Sequence, residues 1–212
     1  MRLDSLISQL PPAERVAMVH DGEIFGLIDA EFPIDTVTTP QQKAHAVCHP
    51  APSALIASGW SALWVAGCAG APTRPEATMR ARRRPNHVTE NSRSVRETAH
   101  HPDDIINFPA GAAFTVERAL VDILKSDPRN DNDLAPAIAR VLYVSGVTVE
   151  TLAARLNREK SSPFCRIALR RLAFVDAVNV VDTINATNRV EHALKVTSVT
   201  RLEDKAAQRQ AF

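Results

Sequence analysis

Six arginines crowd one short stretch of this 212-residue chain: Arg80, Arg82, Arg83, Arg84, Arg93 and Arg96. A guanidinium is a planar fork of donors that matches phosphate and carboxylate oxygens, so such a cluster suits either nucleic-acid phosphates or an acidic protein surface. Pro85 and Asn86 interrupt the run, which predicts a strand that enters a loop and returns as a hairpin, with Arg93 and Arg96 on the return strand. No aromatic residue lies between these arginines, which argues against stacking on single-stranded bases.

Other residues with chemical potential are less well placed. His45, Cys48 and His49 stand at i, i+3 and i+4 and could share a helix face, with Cys68 as a fourth ligand. There is no C-x-x-C pair, and Pro50 abuts the group, so a structural role is expected rather than zinc. His100, His101, Asp103 and Asp104 offer nitrogen and oxygen ligands, but they surround Pro102 and read as a turn. No G-x-S-x-G elbow and no Gly-rich phosphate loop is present. Cys165 opens a helix with no histidine nearby in sequence. For a metal-dependent nuclease, Asp104 and Glu117 lack a lysine at the right spacing, and Glu159-Lys160 falls in a loop. No catalytic residue, metal or cofactor is therefore expected, and a nuclease ranks third among the functional readings.

Composition narrows the classes. Apolar residues make up 45% and charged residues 23%, enough for a packed core. The net charge of +1 excludes polyanion binding by bulk charge, so any nucleic-acid site must come from local clustering. Three widely spaced cysteines, Cys48, Cys68 and Cys165, suit reduced thiols in a cytoplasm. The N-terminus has an early Asp4 and no apolar core of a signal peptide. Pro50 to Thr73 carries no charge, but its glycines, alanines and serines suit a buried helix better than a membrane span.

The elements that must position these residues centre on Arg93 to Lys125. Alternation at Val95, Glu97 and Ala99 predicts a strand, the His-Pro-Asp turn follows, and Ile105 to Phe108 predicts a second strand. After Pro109 and Gly111 the chain re-enters order at Ala113-Phe114. Thr115 is the expected N-cap of a helix whose apolar face is Val116, Leu120, Ile123 and Leu124. Upstream, a helix from Asp4 to Leu10 is expected, then two strands, Val16 to His20 and Glu23 to Ile28, about an Asp21-Gly22 hairpin turn. Glu31 to Val37 reads as a connector. Thr39-Pro40 with Gln42 forms a capping box for a helix ending by Pro50. Ser53 is expected to cap a helix reaching Gly67, with Trp60 and Trp64 on one face.

Downstream, Ser126 to Asn132 is a loop. Asp133 is expected to cap a helix ending at Gly146, and Thr148 another with Val149, Leu152, Ala153 and Leu156 inward. A long helix from Ser162-Pro163 should bury Ile167, Leu169, Leu172, Val175, Val178 and Val181, leaving Arg166, Arg170, Arg171 and Asp182 out. Val190 to Val199 reads as a strand and Glu203 to Phe212 as a polar tail. The expected class is α/β (α+β): a small mixed sheet from segments 75–80, 93–98 and 105–108, covered by helices at 53–66 and 115–125. The expected divisions are a short segment 1–37, an α/β core 38–130 and a helical region 131–212.

PDDIINF, a small-residue turn and then FTVERALVDIL resemble the core of AbiEi-type antitoxins, in which a P-D-D turn and strand lead to a strand and a helix carrying T, R, L and D. Thr115, Arg118, Leu120 and Asp122 keep that order, after Asp103 and Asp104. SALIASGWSALWVAG and PTRPEATM with the Arg-rich link resemble the preceding elements, so the likeness spans roughly residues 38 to 160. The resemblance implies an antitoxin, not an enzyme, whose partner is a cognate nucleotidyltransferase-type toxin in the cytoplasm. It assigns structural roles to Asp103, Asp104, Thr115, Arg118 and Asp122. Many members also regulate their own promoter through an N-terminal winged helix, and here residues 1–37 are expected to hold at most a remnant of one. The second reading is a stand-alone DNA- or RNA-binding module using the Arg80–Arg96 hairpin. No membrane partner is expected.

Overall fold

In a computed structural model, residues 7, 9–28, 30–35, 38–49, 51–79, 94–159 and 164–179 are described. The fold is a five-stranded mixed sheet between two helical layers, with a separate two-stranded ribbon near the N-terminus. The expected mixed α/β class, with a small sheet covered by helices, is what the chain adopts.

The first element bounded among the described residues is α1, Pro12–His20, and not the strand expected over Val16 to His20. Pro12 occupies the first helical turn with Glu14, both favourable at a helix start, and these outweigh the β-branched Val16 and Val19. Asp21 then caps the helix C-terminus and Gly22 takes φ +72, so Asp-Gly ends a helix where a hairpin turn was expected. The hairpin comes next. Strand β1, Ile24–Leu27, pairs antiparallel with β2, Ala30–Pro33, a segment expected to be a connector. Helix α2, Pro40–Cys48, starts as expected, with Thr39 accepting from the Gln42 N–H and Gln42 Oε1 accepting from the Thr39 N–H.

The main sheet runs β5-β4-β3-β7-β6. Its strands are β3 (Leu55–Ala57), β4 (Glu76–Met79), β5 (Ser94–Arg96), β6 (Ile105–Phe108) and β7 (Gly111–Phe114). The strands expected at 75–80, 93–98 and 105–108 are present over 76–79, 94–96 and 105–108, whereas β3 and β7 lie outside those three segments. Leu55 and Ile56 had been assigned to a helix from Ser53. A run this short and apolar has no period to separate the two states. The chain is extended through Ser58, pivots at Gly59 with φ +50, and only then coils into α3, Gly59–Val65. Strand β7 follows β6 through a tight turn at Pro109-Ala110, with Ile105 opposite Phe114 and Phe108 opposite Gly111. A Cβ on Gly111 would stand 2.9 Å from the Ala44 backbone, so β7 lies directly against α2.

Strand alternation divides the core. Ile56, Ala112 and Phe114 face α4 (Val116–Ser126), α5 (Asp131–Ser145), α6 (Val149–Arg158) and a last helix, α7, over 165–179. Leu55, Ala57 and Ala113 face α2 on the other side. Phe32 and Ala30 of the ribbon pack with Ala46 on the outer face of α2. Trp60 packs with the first cluster and Trp64 with the second, so the two indoles do not share a face as expected.

Helix α4 is capped by Thr115, which accepts from the Arg118 N–H, and Leu120 is fully buried. Asn130, not Asp133, caps α5 by accepting from the Asp133 N–H, which places Pro136 inside the helix. Gly146 ends it at φ +72, and Thr148 caps α6. Helix α7 buries Cys165, Ala168, Leu172 and Val175, while Ile167 is exposed. Arg171 is not free in solvent. It donates to Asp131 at 2.9 Å and to the Leu124 and Arg129 carbonyls. One cluster runs from Ile56 to Val175, so the loop at 127–130 does not separate two cores. Of the expected Asp4–Leu10 helix only Ile7, which is helical, and Gln9 and Leu10, which form a turn, are described; the segments Val190–Val199 and Glu203–Phe212 lie wholly outside the described residues. No single helix among the described residues is long and apolar enough to cross a membrane.

Candidate binding groove

An open groove of about 840 Å³ lies between the β4–β5 edge, α4 and the start of α7. Its closed end is built from the residues that carry the motif. Asp104 finishes a 3-10 turn, Pro102–Asp104, where its carboxylate accepts the His101 N–H at 3.3 Å and its carbonyl accepts the Thr115 N–H at 2.8 Å. Helical spacing puts Arg118 and Asp122 one turn apart, with Nη2 2.9 Å from Oδ1. Arg118 Nη1 is 3.8 Å from Asp104 and 4.0 Å from Glu159, Nη2 donates to the Ala99 carbonyl, and the guanidinium lies over the Phe114 ring at 5.5 Å. From α6, Arg155 donates to Asp104 Oδ1 at 2.5 Å. Glu159 receives Lys125 at 2.6 Å.

The charges in this network are mutually neutralising. Burial pushes Asp104 up, but the Arg155 bond, the His101 N–H and the two guanidinium charges outweigh it and hold the carboxyl below its ordinary value. Glu159 is also held low, by Lys125 against the opposing effect of burial. Asp122 is the exception. Its burial wins over Arg118, and its carboxyl is raised. Among the described residues of the network, buried Arg118 Nε and Arg155 Nε have no hydrogen-bond acceptor, although Arg155 Nε lies 3.5 Å from Glu159 Oε1.

The other end is built from α3 and β4. Trp60 Nε1 donates to Asp127 Oδ2 at 2.6 Å. Arg129 grips the same carboxylate with Nε and Nη2 at 3.0 and 2.8 Å and stacks over the Trp60 ring, 4.4 Å from its centroid. These bonds hold Asp127 below its ordinary value although burial opposes them. Glu76 begins β4. Its N–H donates to Ser61 Oγ, its carbonyl accepts the Ser58 N–H, and its carboxylate accepts the Trp60 N–H at 3.3 Å. Among the described residues no Lys, Arg or His stands within 4.0 Å of that carboxylate. Burial pushes its pKa up, and the more distant charges of Arg96 and Arg129 only partly offset this. Arg96 donates to Ser126 Oγ at 2.6 Å and has no carboxylate partner among the described residues. Along the whole groove, six carboxylates (Glu76, Glu97, Asp104, Asp122, Asp127 and Glu159) face four Arg and Lys (Arg96, Arg118, Lys125 and Arg155).

The structure thus brings together Asp104, Thr115, Arg118 and Asp122, whereas Asp103 points to solvent. Arg96 lines the groove; Arg80, Arg82, Arg83, Arg84 and Arg93 lie outside the described residues. Strands β4 and β5 pair in parallel, with Glu76 opposite Ser94 and Thr78 opposite Arg96. They are therefore not the two arms of the expected hairpin, because hairpin arms are antiparallel. His45 donates through Nδ1 to the Ala110 carbonyl and Cys48 Sγ donates to the Ala112 carbonyl, which ties α2 to the β6–β7 turn and β7. Among the described residues no cluster of His, Cys, Asp and Glu is arranged to hold a metal. Arg155 and Glu76 are not singled out by the sequence, and Glu159, weighed there only with Lys160 as a loop acid of a nuclease site, instead closes the C-terminus of α6. The one local signal was the i, i+4 spacing of Arg155 and Glu159 on the polar side of α6. No family model matches the chain, and no curated protein matches it in sequence.

Proposed function

We propose that this chain is a non-enzymatic binding protein, an antitoxin that neutralises a nucleotidyltransferase-type toxin in the cytoplasm. The observation that supports the reading is the closed end of the groove. The residues that carry the resemblance, Asp104, Thr115, Arg118 and Asp122, join turn, cap and helix into one unit, and their charges are consumed by one another. A paired network of this kind holds a surface in shape. Within that network each of Asp104, Asp122 and Glu159 has a cation partner, so none of the three is left as a free base. The arginines of the 80–96 stretch then face an acidic patch on the toxin. The test is co-expression with a nucleotidyltransferase encoded beside this chain. Rescue of growth supports the antitoxin, and absence of rescue removes it.

A second reading, binding of DNA or RNA phosphates, is favoured by one observation: Arg96 has its guanidinium free of any carboxylate partner among the described residues. Changing Arg82, Arg83 and Arg84 to Ala separates the two. Lost rescue with unchanged nucleic-acid affinity favours the toxin. Full rescue with lost binding and a shallower salt dependence favours phosphates.

A further inference from the structure

The open end of the groove, where β4 starts, contains a carboxylate that the fold partly desolvates and that has no cation partner among the described residues. Every other carboxylate on the inner wall has its own cation: Asp104 has Arg155, Asp122 has Arg118, Asp127 has Arg129, and Glu159 has Lys125. Glu76 has one backbone N–H. Burying a carboxylate is costly unless it is paired, and the uncompensated cost is what a cationic ligand would recover. The fold also brings its own backbone up to this group. A Cβ on Gly59 would fall 1.8 Å from Glu76 Oε2, so the carboxylate lies against the Gly59 backbone and would have to move aside for a larger residue. The backbone of Trp60 meets this carboxylate, and His100 and the exposed ring of Phe164 line the same groove, where aromatic surfaces attract cations.

We propose that Glu76 is the receptor carboxylate of a cation-binding site, in which a guanidinium or ammonium group enters the groove and forms an ion pair with it. Among the described residues, the charged groups facing Glu76 are Arg96 from β5, and Asp127 and Arg129 from the loop after α4. Arg96 and Arg129 oppose the ligand, and Arg129 is already held by Asp127. Arg96 is therefore the competitor that a ligand must overcome. The cation comes either from an Arg or Lys side chain of a partner polypeptide or from a small amine. This inference does not rest on the antitoxin reading.

The experiment is a titration of the full chain at neutral pH, followed by amide and indole chemical shifts. Methylguanidinium serves as the small cation, and a blocked Gly-Gly-Arg-Gly-Gly peptide as the polypeptide. The same peptide with citrulline is the neutral isostere. Both cationic probes should shift the Trp60 signals, and the citrulline peptide should bind at least tenfold more weakly. E76Q keeps an oxygen for the Trp60 N–H and should weaken cation binding at least tenfold, whereas E97Q, the same charge change on the rim, should alter it less than twofold. R96Q should tighten binding several-fold. A peptide that binds tenfold better than methylguanidinium assigns the site to a polypeptide, and equal affinities assign it to a free cation; both support the site. The proposal is overturned if E76Q, shown folded by an unchanged melting curve, binds as the parent does. It is equally overturned if E97Q weakens binding as much as E76Q, if citrulline binds as well as arginine, or if neither cation shifts any groove resonance.

Discussion

At the α6 end of the groove, Arg118 holds three carboxylates within 4.0 Å, and Arg155 and Lys125 supply the remaining cations. At the β4 end, one half-buried carboxylate accepts a backbone N–H and has no cation partner among the described residues. Both ends belong to one groove, and both lie on the polar margin of the same core. The difference is in what each can still do. A neutralised network can only lose by being disturbed, because removing one member strands the others. An unpaired carboxylate carries an unmet interaction, so it can gain from a partner the fold does not supply.

The largest effect should come from breaking the closed end. Arg118→Ala leaves Asp104, Asp122 and Glu159 short of their shared cation and should cost about 3–5 kcal/mol. Thermal or urea unfolding measures it, and a loss below about 1 kcal/mol would mean that the network is a solvated surface cluster. Leu120→Ala, in the apolar layer beneath this network, should cost about 2–5 kcal/mol. An unchanged melting temperature would place α4 on the surface instead of in the core.

Gly59→Ala perturbs the open end. The left-handed backbone and the close approach to Glu76 together predict a loss of about 1–3 kcal/mol. In an E76A background the steric part should vanish, so the two changes should be less than additive. Full additivity would show that Glu76 does not crowd Gly59.

The smallest effect is a pH dependence of opposite sign for Asp104 and Glu159 on one side and Glu76 on the other. Asp104 and Glu159 are held low, so their contribution to stability is present above the ordinary carboxylate range and fades as pH falls through their lowered values. Glu76 is raised by burial, so the native state holds its proton more tightly than the unfolded chain. That stability is present at acid pH and is lost as pH rises through the raised value. E76Q should therefore gain on the parent in melting temperature from acid to neutral pH. A difference that stays constant across this range would remove burial as the force on Glu76.

What was legible in the sequence depended on how local the determining interaction is. The α4 helix was readable because its cap and its four apolar positions lie within ten residues. The α2 capping box was readable for the same reason. Strand β3 was not, because three apolar residues carry no period and their place is set by pairing with β4 and β7. Helix α1 was misread because none of its residues is buried, which leaves β-branched valines and helix-start residues to compete without a packing vote. The parallel pairing of β4 with β5 depends on a path that a run of arginines does not encode. Arg155 meets Asp104 across 51 positions of sequence, so its place in the network had no nearby signal. Asp104, Arg118 and Asp122 were found through the motif, whereas Glu76 looked like any strand-edge acid.

The chain has two tryptophans, and the fold assigns them to different neighbourhoods. Trp60 is the groove's own indole, hydrogen-bonded to Asp127 and covered by Arg129. Trp64 is sealed on the α2 side, with Lys43 over its ring at 5.4 Å. Intrinsic fluorescence is therefore separable by a single substitution. A Trp64→Phe protein emits only from the groove and reports its occupancy, while a Trp60→Phe protein emits only from the opposite layer and reports unfolding. The molecule carries two optical channels, and neither needs an added dye.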